Sequence, residues 1–379
     1  MTGKKELTDS LEKVEANLCG FLASKDERFI EDLVKETGRT REEATRLAAW
    51  DWTHGIGLYG LLKCYQFDGK ERYLDEIQDW FEDRILLGLP EKNVNTVAPL
   101  LTMAFLQEIR PDDRYVKIMQ NWAEWIMHDM ERTEEGGIQH RHAELENSQE
   151  LWDDTLMMTV LFLAKAGMLF HRQEYVEEAI YQFLLHVKYL TDTESGLWYH
   201  GWSFLERGNF AKSLWGRGNC WITIFIPEFL EIVPLPESVR RYAVSTLREQ
   251  AKALKRYQAA SGMWHTLIDD ETSYEESSCT AGFCYGILKG IRKGYLEGEY
   301  EECGIRALEA LIGKIDVDGE VTEVSKGTNV GRTLEHYRQI PMSKMHYGQA
   351  LALLALIEGK EWEKLSDDES GKIHQNPEM

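Results

Sequence analysis

The sequence predicts an all-α chain folded as an (α/α)6 toroid, a barrel of six helical hairpins, on three observations. First, apolar residues follow the helical period almost throughout. Tyr115, Ile118, Met119, Trp122, Trp125 and Ile126, for example, fall on one helical face, and few windows alternate as strands do. Second, a glycine-rich or polar loop leads six times into a strongly apolar helix. These helices begin near Gly55, Asn95, Asp154, Asn219, Thr280 and Tyr347, a repeat of about 40 to 70 residues. Third, five of the six continue into an amphipathic second helix. A helix apolar on all sides must be surrounded by protein, so the pattern describes an inner ring wrapped by an outer one.

The elements follow in order. HGIGLYGLLKCY, NTVAPLLTMAFL, DTLMMTVLFLAKAG, NCWITIFIPEFL, TAGFCYGILKGI and YGQALALLALIE are the inner helices. The first three end in similar turns, Phe67 to Tyr73, Arg110 to Tyr115 and His171 to Tyr175, whose tyrosine opens the second helix. The sixth outer helix has to come from the N-terminal segment, around Leu7 to Leu22 or Asp26 to Leu47. An open solenoid of hairpins is the competing architecture. With 8 prolines and no Ser/Gly-rich linker, residues 1–379 read as a single domain, and the polar tail 366–379 as disordered.

A formal net charge of −22 repels phosphate backbones and argues against a nucleic-acid partner. The charged N-terminus lacks the apolar core of a signal peptide, and no stretch approaches the roughly 18 to 20 apolar residues of a membrane span. The six cysteines show no CxxC pair and read as reduced thiols. Together these point to the cytoplasm and to no membrane partner. Oligomeric state is not legible.

The N-termini of the inner helices share one end of the ring, so the residues before them line one cavity. Those residues are Trp50 to His54, Asn93 to Asn95, Trp152 to Asp154, Trp215 to Trp221, Glu275 to Ser278 and Met345 to Tyr347. Aromatics offer platforms for sugar faces, Asn and His bind hydroxyls, and Arg217 can fork onto a carboxylate. Asp153 and Asp154 are the acid candidates. Adjacent carboxylates at a helix start are commonly caps, but the apolar run behind them points one into a low-dielectric cavity that suits a general acid. Trp215, Arg217 and Asn219 alternate with Gly216 and Gly218, which let the backbone approach a ligand closely. Gly196 to Trp202 turns His200 toward the same rim. His140-Arg141-His142 offers cationic or hydroxyl-binding contacts, and Gly262 to His265 packs or forms a second rim loop. HExxH, Walker, dinucleotide and GxSxG motifs are absent, and no third ligand accompanies His140 and His142, so no metal and no cofactor is expected.

Through WDWTHGIGLYG, ELWDDTLMMTVLFLA, GLWYHGW, WGRGNCWI and MHYGQALALLA, the chain from Trp50 to Glu358 resembles glycoside hydrolase family 105, the unsaturated rhamnogalacturonyl hydrolases. The resemblance implies an (α/α)6 barrel and pectin-derived substrates whose non-reducing uronate carries a C4=C5 double bond. It also implies hydration of that bond rather than displacement at the anomeric carbon: an aspartic acid protonates C4, water adds at C5, and the hemiketal collapses. By position the acid falls on Asp154, with Asp153 in support. Trp215, Arg217, Asn219 and Trp221 correspond to sugar-binding groups, with Arg217 on the uronate carboxylate, His200 to a rim histidine and Trp52 to a first-loop aromatic. His140, Arg141, His346 and Tyr347 complete the expected site. Asn95 stands where many relatives carry aspartate; it can hold a hydroxyl but cannot serve as a base. The alternatives are an unsaturated glucuronyl hydrolase or a polysaccharide lyase on the same ring, the latter with Tyr347 or His346 at the reacting sugar, and a non-catalytic helical-repeat binding scaffold.

Overall fold

Helices with no polar face need neighbours on every side, and the chain supplies them by closing into a ring. The structure, a computed structural model, describes residues 3–24, 27–142 and 147–373. It opens with α1 (Lys4–Ala23) and a short hairpin of α2 (Glu27–Thr37) and α3 (Arg41–Ala48). Next come α4 (Trp52–Asp68) with α5 (Arg72–Leu87), then α6 (Val94–Val97) and α7 (Pro99–Ile109) with α8 (Asp113–His128). A π-helical turn (Leu156–Val160) runs into α9 (Leu161–Leu169), which pairs with α10 (Gln173–Leu190). There follow α11 (Gly216–Ile232) with α12 (Glu237–Tyr257), α13 (Ser277–Arg292) with α14 (Glu301–Ile312), the single-turn α15 (Leu334–Arg338) and α16 (His346–Ile373).

The inner wall runs α4, α7, α9, α11, α13, α16, each packed on the next, and α16 returns to α4. That return excludes the open solenoid. α1 packs along α16 and supplies the sixth outer helix, which decides for the first of the two expected segments. The second became α2–α3, a hairpin with a separate small core of Ile30, Leu33, Ala44, Leu47 and Ala48. Tyr73, Tyr115 and Tyr175, the three turn tyrosines, are all buried at the starts of outer helices. Close approach within the wall is bought by small residues: a Cβ on Gly55 of α4 would lie 2.7 Å from the backbone of Ala98 and Pro99. Asn93 caps the second inner helix through Asn95 N and Thr96 N, and Pro99, which cannot donate, divides it into α6 and α7. α16 continues past Ser366, where order was expected to end, to Ile373; residues 374–379 lie outside the described residues.

The end of the ring away from the inner-helix N-termini is sealed by charge. Glu228 of α11 accepts from Tyr59 Oη (2.5 Å) and Lys63 Nζ (3.0 Å) of α4, and from Tyr285 Oη and Lys289 Nζ of α13. Since α4 and α11 stand on opposite sides of the wall, this buried network crosses the ring's axis. No helix of the described residues is long and apolar enough to cross a membrane.

Candidate active site

At the open end, short strands do the positioning. β1 (Glu150–Trp152) pairs antiparallel with β2 (Gly201–Ser203), and β2 with β3 (Gly208–Asn209). The register sets Trp152 opposite Gly201, so the residues just past β1, Asp153 and Asp154, meet the residue just before β2, His200. Asp153 N donates to His200 O at 3.0 Å. Two further pairs frame the rim: β4 (Trp264–His265) with β5 (Glu275–Glu276), and β6 (Val324–Ser325) with β7 (Met342–Ser343). The π-helical turn immediately after Thr155 widens the helix behind the two aspartates, a distortion often found at functional sites.

His200 Nε2 lies 3.3 Å from Asp154 Oδ2, within ion-pair range although not aligned as a hydrogen bond. Its Nδ1 lies 2.8 Å from Tyr337 Oη, which accepts from Gly331 N at 2.9 Å. Burial holds the His200 pKa below its usual value despite Asp154, so the ring is neutral at neutral pH. With its Nε2–H toward the carboxylate, Nδ1 is the acceptor and Tyr337 the donor. Burial alone would raise the Asp154 pKa; the His200 Nε2–H turned toward it and the neighbouring Asp153 carboxyl outweigh burial and hold the carboxyl well below the usual range. Asp153 goes the other way: it is wholly buried, and burial, reinforced by the Asp154 charge, pushes its pKa far up. His140, stacked on Trp152 at 4.4 Å, bonds Thr155 Oγ1 at 2.9 Å through Nδ1 and is pushed down to about 3 by burial.

Asp154 opens onto a cavity of about 340 Å³, the size expected for a small ligand. Trp52, Trp152, Trp215 and Tyr347 line it with Asn93, Asn95, His140, Arg217 and His346. Trp52 stacks on Tyr347 at 4.9 Å. The Arg217 guanidinium lies between Trp215 (4.6 Å) and Tyr347 (4.9 Å). Three of its donor contacts go to Ser325 Oγ (2.6 Å), Ser325 O (3.1 Å) and Lys326 O (2.9 Å), leaving part of the fork for a ligand. Aromatic rings, amide and imidazole groups and the Arg217 guanidinium are thus grouped around the Asp154 carboxyl.

A model of the family described as Glycosyl Hydrolase Family 88 matches residues 27–362. The chain belongs to that family. It is a glycosidase. It is 33% identical over 313 residues to the unsaturated rhamnogalacturonyl hydrolase YesR of Bacillus subtilis (strain 168), a match covering 82% of this chain and 89% of the relative. It is also similar to two solved structures, each described as a possible member of glycoside hydrolase family 105 and each 46% identical with a TM-score of 0.88. One, from Salmonella enterica serovar Paratyphi A, matches over 96% of both chains; the other, from Klebsiella pneumoniae, over 96% of this chain and 95% of its own. The resemblance read from the sequence motifs and the barrel it implied are therefore found.

Within this family-88 enzyme the structure brings Asp154, Trp52, Asn95, His140, Trp215, Arg217, His346 and Tyr347 to one cavity. It does not bring the other expected groups there. His200 stands behind Asp154 rather than at the rim. Asn219 is fully buried: its Oδ1 accepts from Trp198 N (2.8 Å) and its Nδ2 donates to Trp198 O (2.7 Å) and Trp215 O (2.9 Å), so it ties two loops together instead of meeting a sugar. Trp221 is buried edge-on behind Trp52 at 5.8 Å. Arg141 pairs with Glu131 in a neighbouring groove that shares Asn93 and His142 with the cavity. Gly218 admits the Asp153 carboxyl, not a ligand, and Gly216 makes room for Cys279. Glu276 caps α13 through Cys279 N (2.7 Å) and holds Ser325 N (2.9 Å), so Glu275 to Ser278 do not line the cavity. Trp264 packs in the core and donates to Leu254 O. The reading of the sequence missed Tyr337, the segment Gly327-Thr328-Asn329, and the apolar wall of Phe21, Phe29, Leu47 and Ala48. Leu47 and Ala48 stand just ahead of the Trp50 segment but are plain apolar residues with no chemical signal, and the others are brought to the inner-helix starts only by the fold.

Among the described residues, Asp153, Asp154 and His200 bring ligand-type atoms within 4.8 Å of one another. Two carboxyls and an imidazole at that spacing could hold either a cation or a shared proton.

Proposed function

We propose that this enzyme releases the 4,5-unsaturated galacturonyl residue from the non-reducing end of rhamnogalacturonan oligosaccharides by hydrating its C4=C5 bond. The observation that carries the reading is Asp154, set against the neutral His200 at the floor of a cavity whose wall holds Arg217 between two aromatic rings. In this reading Arg217 takes the uronate carboxylate, the aromatic rings and Asn95 place the sugar, and Asp154 delivers a proton to C4 while water adds at C5. The kinship with the Bacillus rhamnogalacturonyl hydrolase supports the substrate class. The six free thiols support a cytoplasmic setting, where short imported oligosaccharides would be its substrates.

Asp51, at the start of α4, also lines the cavity and favours a second reading, direct displacement by an opposed pair of carboxylates. The test follows the ultraviolet absorbance of the conjugated uronate in unsaturated rhamnogalacturonan disaccharide. Wild type abolishes the absorbance, and Asp154→Asn slows it by about a hundredfold or more, the usual worth of a general acid. Equal turnover of the saturated disaccharide would favour the Asp51–Asp154 pair instead.

A further inference from the structure

Asp154 sits in surroundings that favour its anion, yet the reaction proposed above asks it to give up a proton. The proton has to be held nearby, and one neighbouring group is built to hold it. Asp153 is wholly buried, and no side chain other than Asp154 meets either of its oxygens in a hydrogen bond. An isolated carboxylate is not stable in such a place, whereas a carboxylic acid is. Its carboxyl lies against the α11 backbone at Gly218, where any Cβ would collide with it, so it is held in place by close packing. Two carboxyls this close cannot both be charged at modest cost.

We propose that Asp153 and Asp154 form a dyad that shares a single proton, with Asp153 as its store and Asp154 as its outlet to the substrate. This rests on the hydration reading. In each turnover the Asp153 carboxyl passes its proton to the Asp154 carboxylate, and Asp154 transfers it to C4 as the C4=C5 pair forms the new C–H bond. The oxygen of water bonds to C5, and the proton that water loses returns to the Asp154 carboxylate and from there to Asp153. The dyad ends with the one proton it began with. Asp153 is thus a positioning residue for a proton and does not touch the sugar. The charged and titratable groups facing the pair are His140, His200 from the β1–β2 junction, Arg217 and Cys220 from α11, and Tyr337 from α15. His140 and His200 are neutral, Cys220 and Tyr337 are held protonated by burial, and Arg217 is the one fixed charge among them.

Asp153→Asn keeps the shape and removes the store. Asp154 alone then loses its proton at lower pH, so the alkaline limb of the kcat–pH profile moves toward acid. At slightly alkaline pH kcat falls roughly tenfold or more, KM changes little, and the two enzymes converge at acid pH. A structural role alone would lower activity evenly across pH; a profile superimposable on wild type, or one scaled down evenly, overturns the proposal. A readout independent of substrate is infrared difference spectroscopy of the neutral carboxyl C=O band at neutral pH. The band is expected in wild type and in Asp154→Asn and absent from Asp153→Asn; its absence from wild type overturns the dyad even if the disaccharide is consumed. If the band is present and the disaccharide is untouched, the substrate reading has failed and the dyad has not. Finally, dialysis against EDTA leaves the rate unchanged, whereas a loss restored by a divalent ion would assign the three groups to a cation.

Discussion

At the scale of single residues, the site is a relay of orientations ending on one carboxyl. Gly331 N fixes the Tyr337 hydroxyl, Tyr337 fixes the His200 tautomer, and His200 faces Asp154. Tyr337→Phe removes the donor without changing the volume, so His200 loses its reason to present Nε2–H. The expected result is a fall in kcat of roughly tenfold with KM nearly unchanged, as when the partner that orients a histidine is lost; an unchanged kcat would show that packing alone holds the ring. Gly218→Ala drives a methyl into the Asp153 carboxyl, and overpacking of that kind costs about 1 to 3 kcal/mol, measurable by urea unfolding alongside lost activity. Asp154, Arg217, Trp215 and Trp52 were legible in the sequence because each stands just before or just inside an inner helix. Tyr337 was not, because its partner lies 137 positions away in the chain and only ring closure brings them together. Asn219 misled for a plain reason: a side-chain amide that can hold a sugar hydroxyl holds a backbone peptide equally well.

Among the elements, the inner helices were readable because they are apolar all round, and the first three of their turns because a tyrosine repeats at each. The strands escaped notice since two or three residues carry no detectable alternation, yet the β1–β2 register is what seats the aspartates beside His200. The α2–α3 hairpin differs from every ring element in having its own small core, while Phe29, Leu47 and Ala48 wall the cavity. An element held by so few apolar contacts opens at lower free energy than the ring. Hydrogen exchange followed by mass spectrometry is therefore expected to label residues 27–48 well before α4 or α13, and substrate is expected to slow that labelling. Equal protection of the hairpin and α13 would show that it is locked to the ring.

For the molecule as a whole, the two ends of the ring contrast. One end keeps a cavity; the other is tied across by Glu228 with Lys63 and Lys289. Burial alone would raise the Glu228 pKa, but the two lysines hold it well below the usual range. A carboxyl depressed in the folded state contributes stability that is present above its unfolded value of about 4.3 and is lost as pH falls below it. Glu228→Gln leaves two buried ammonium groups short of their counter-charge and is expected to cost about 3 to 5 kcal/mol, with a shallower acid limb in the stability–pH curve; a change under 1 kcal/mol would show the network to be solvated. The repeat made the ring legible in advance, and Tyr59-Gly-Leu-Leu-Lys63 and Tyr285-Gly-Ile-Leu-Lys289 even share one pattern, but not this tie, because Glu228, which joins the two pairs, lies on a third helix and only the closed ring brings them together. The seam of the ring has a consequence for how the chain reaches this state. The outer partner of the last inner helix is α1, which is synthesised before all six inner helices, so during synthesis the face of α1 that packs on α16 stays uncovered until α16 arrives. Five hairpins can dock as they appear, but closure is the most non-local event in the molecule, and the slowest step of folding is expected to be this last one. Until then the flanks of α1 and α4 are open apolar surfaces, and a chain shortened within α16 would remain in that sticky condition permanently.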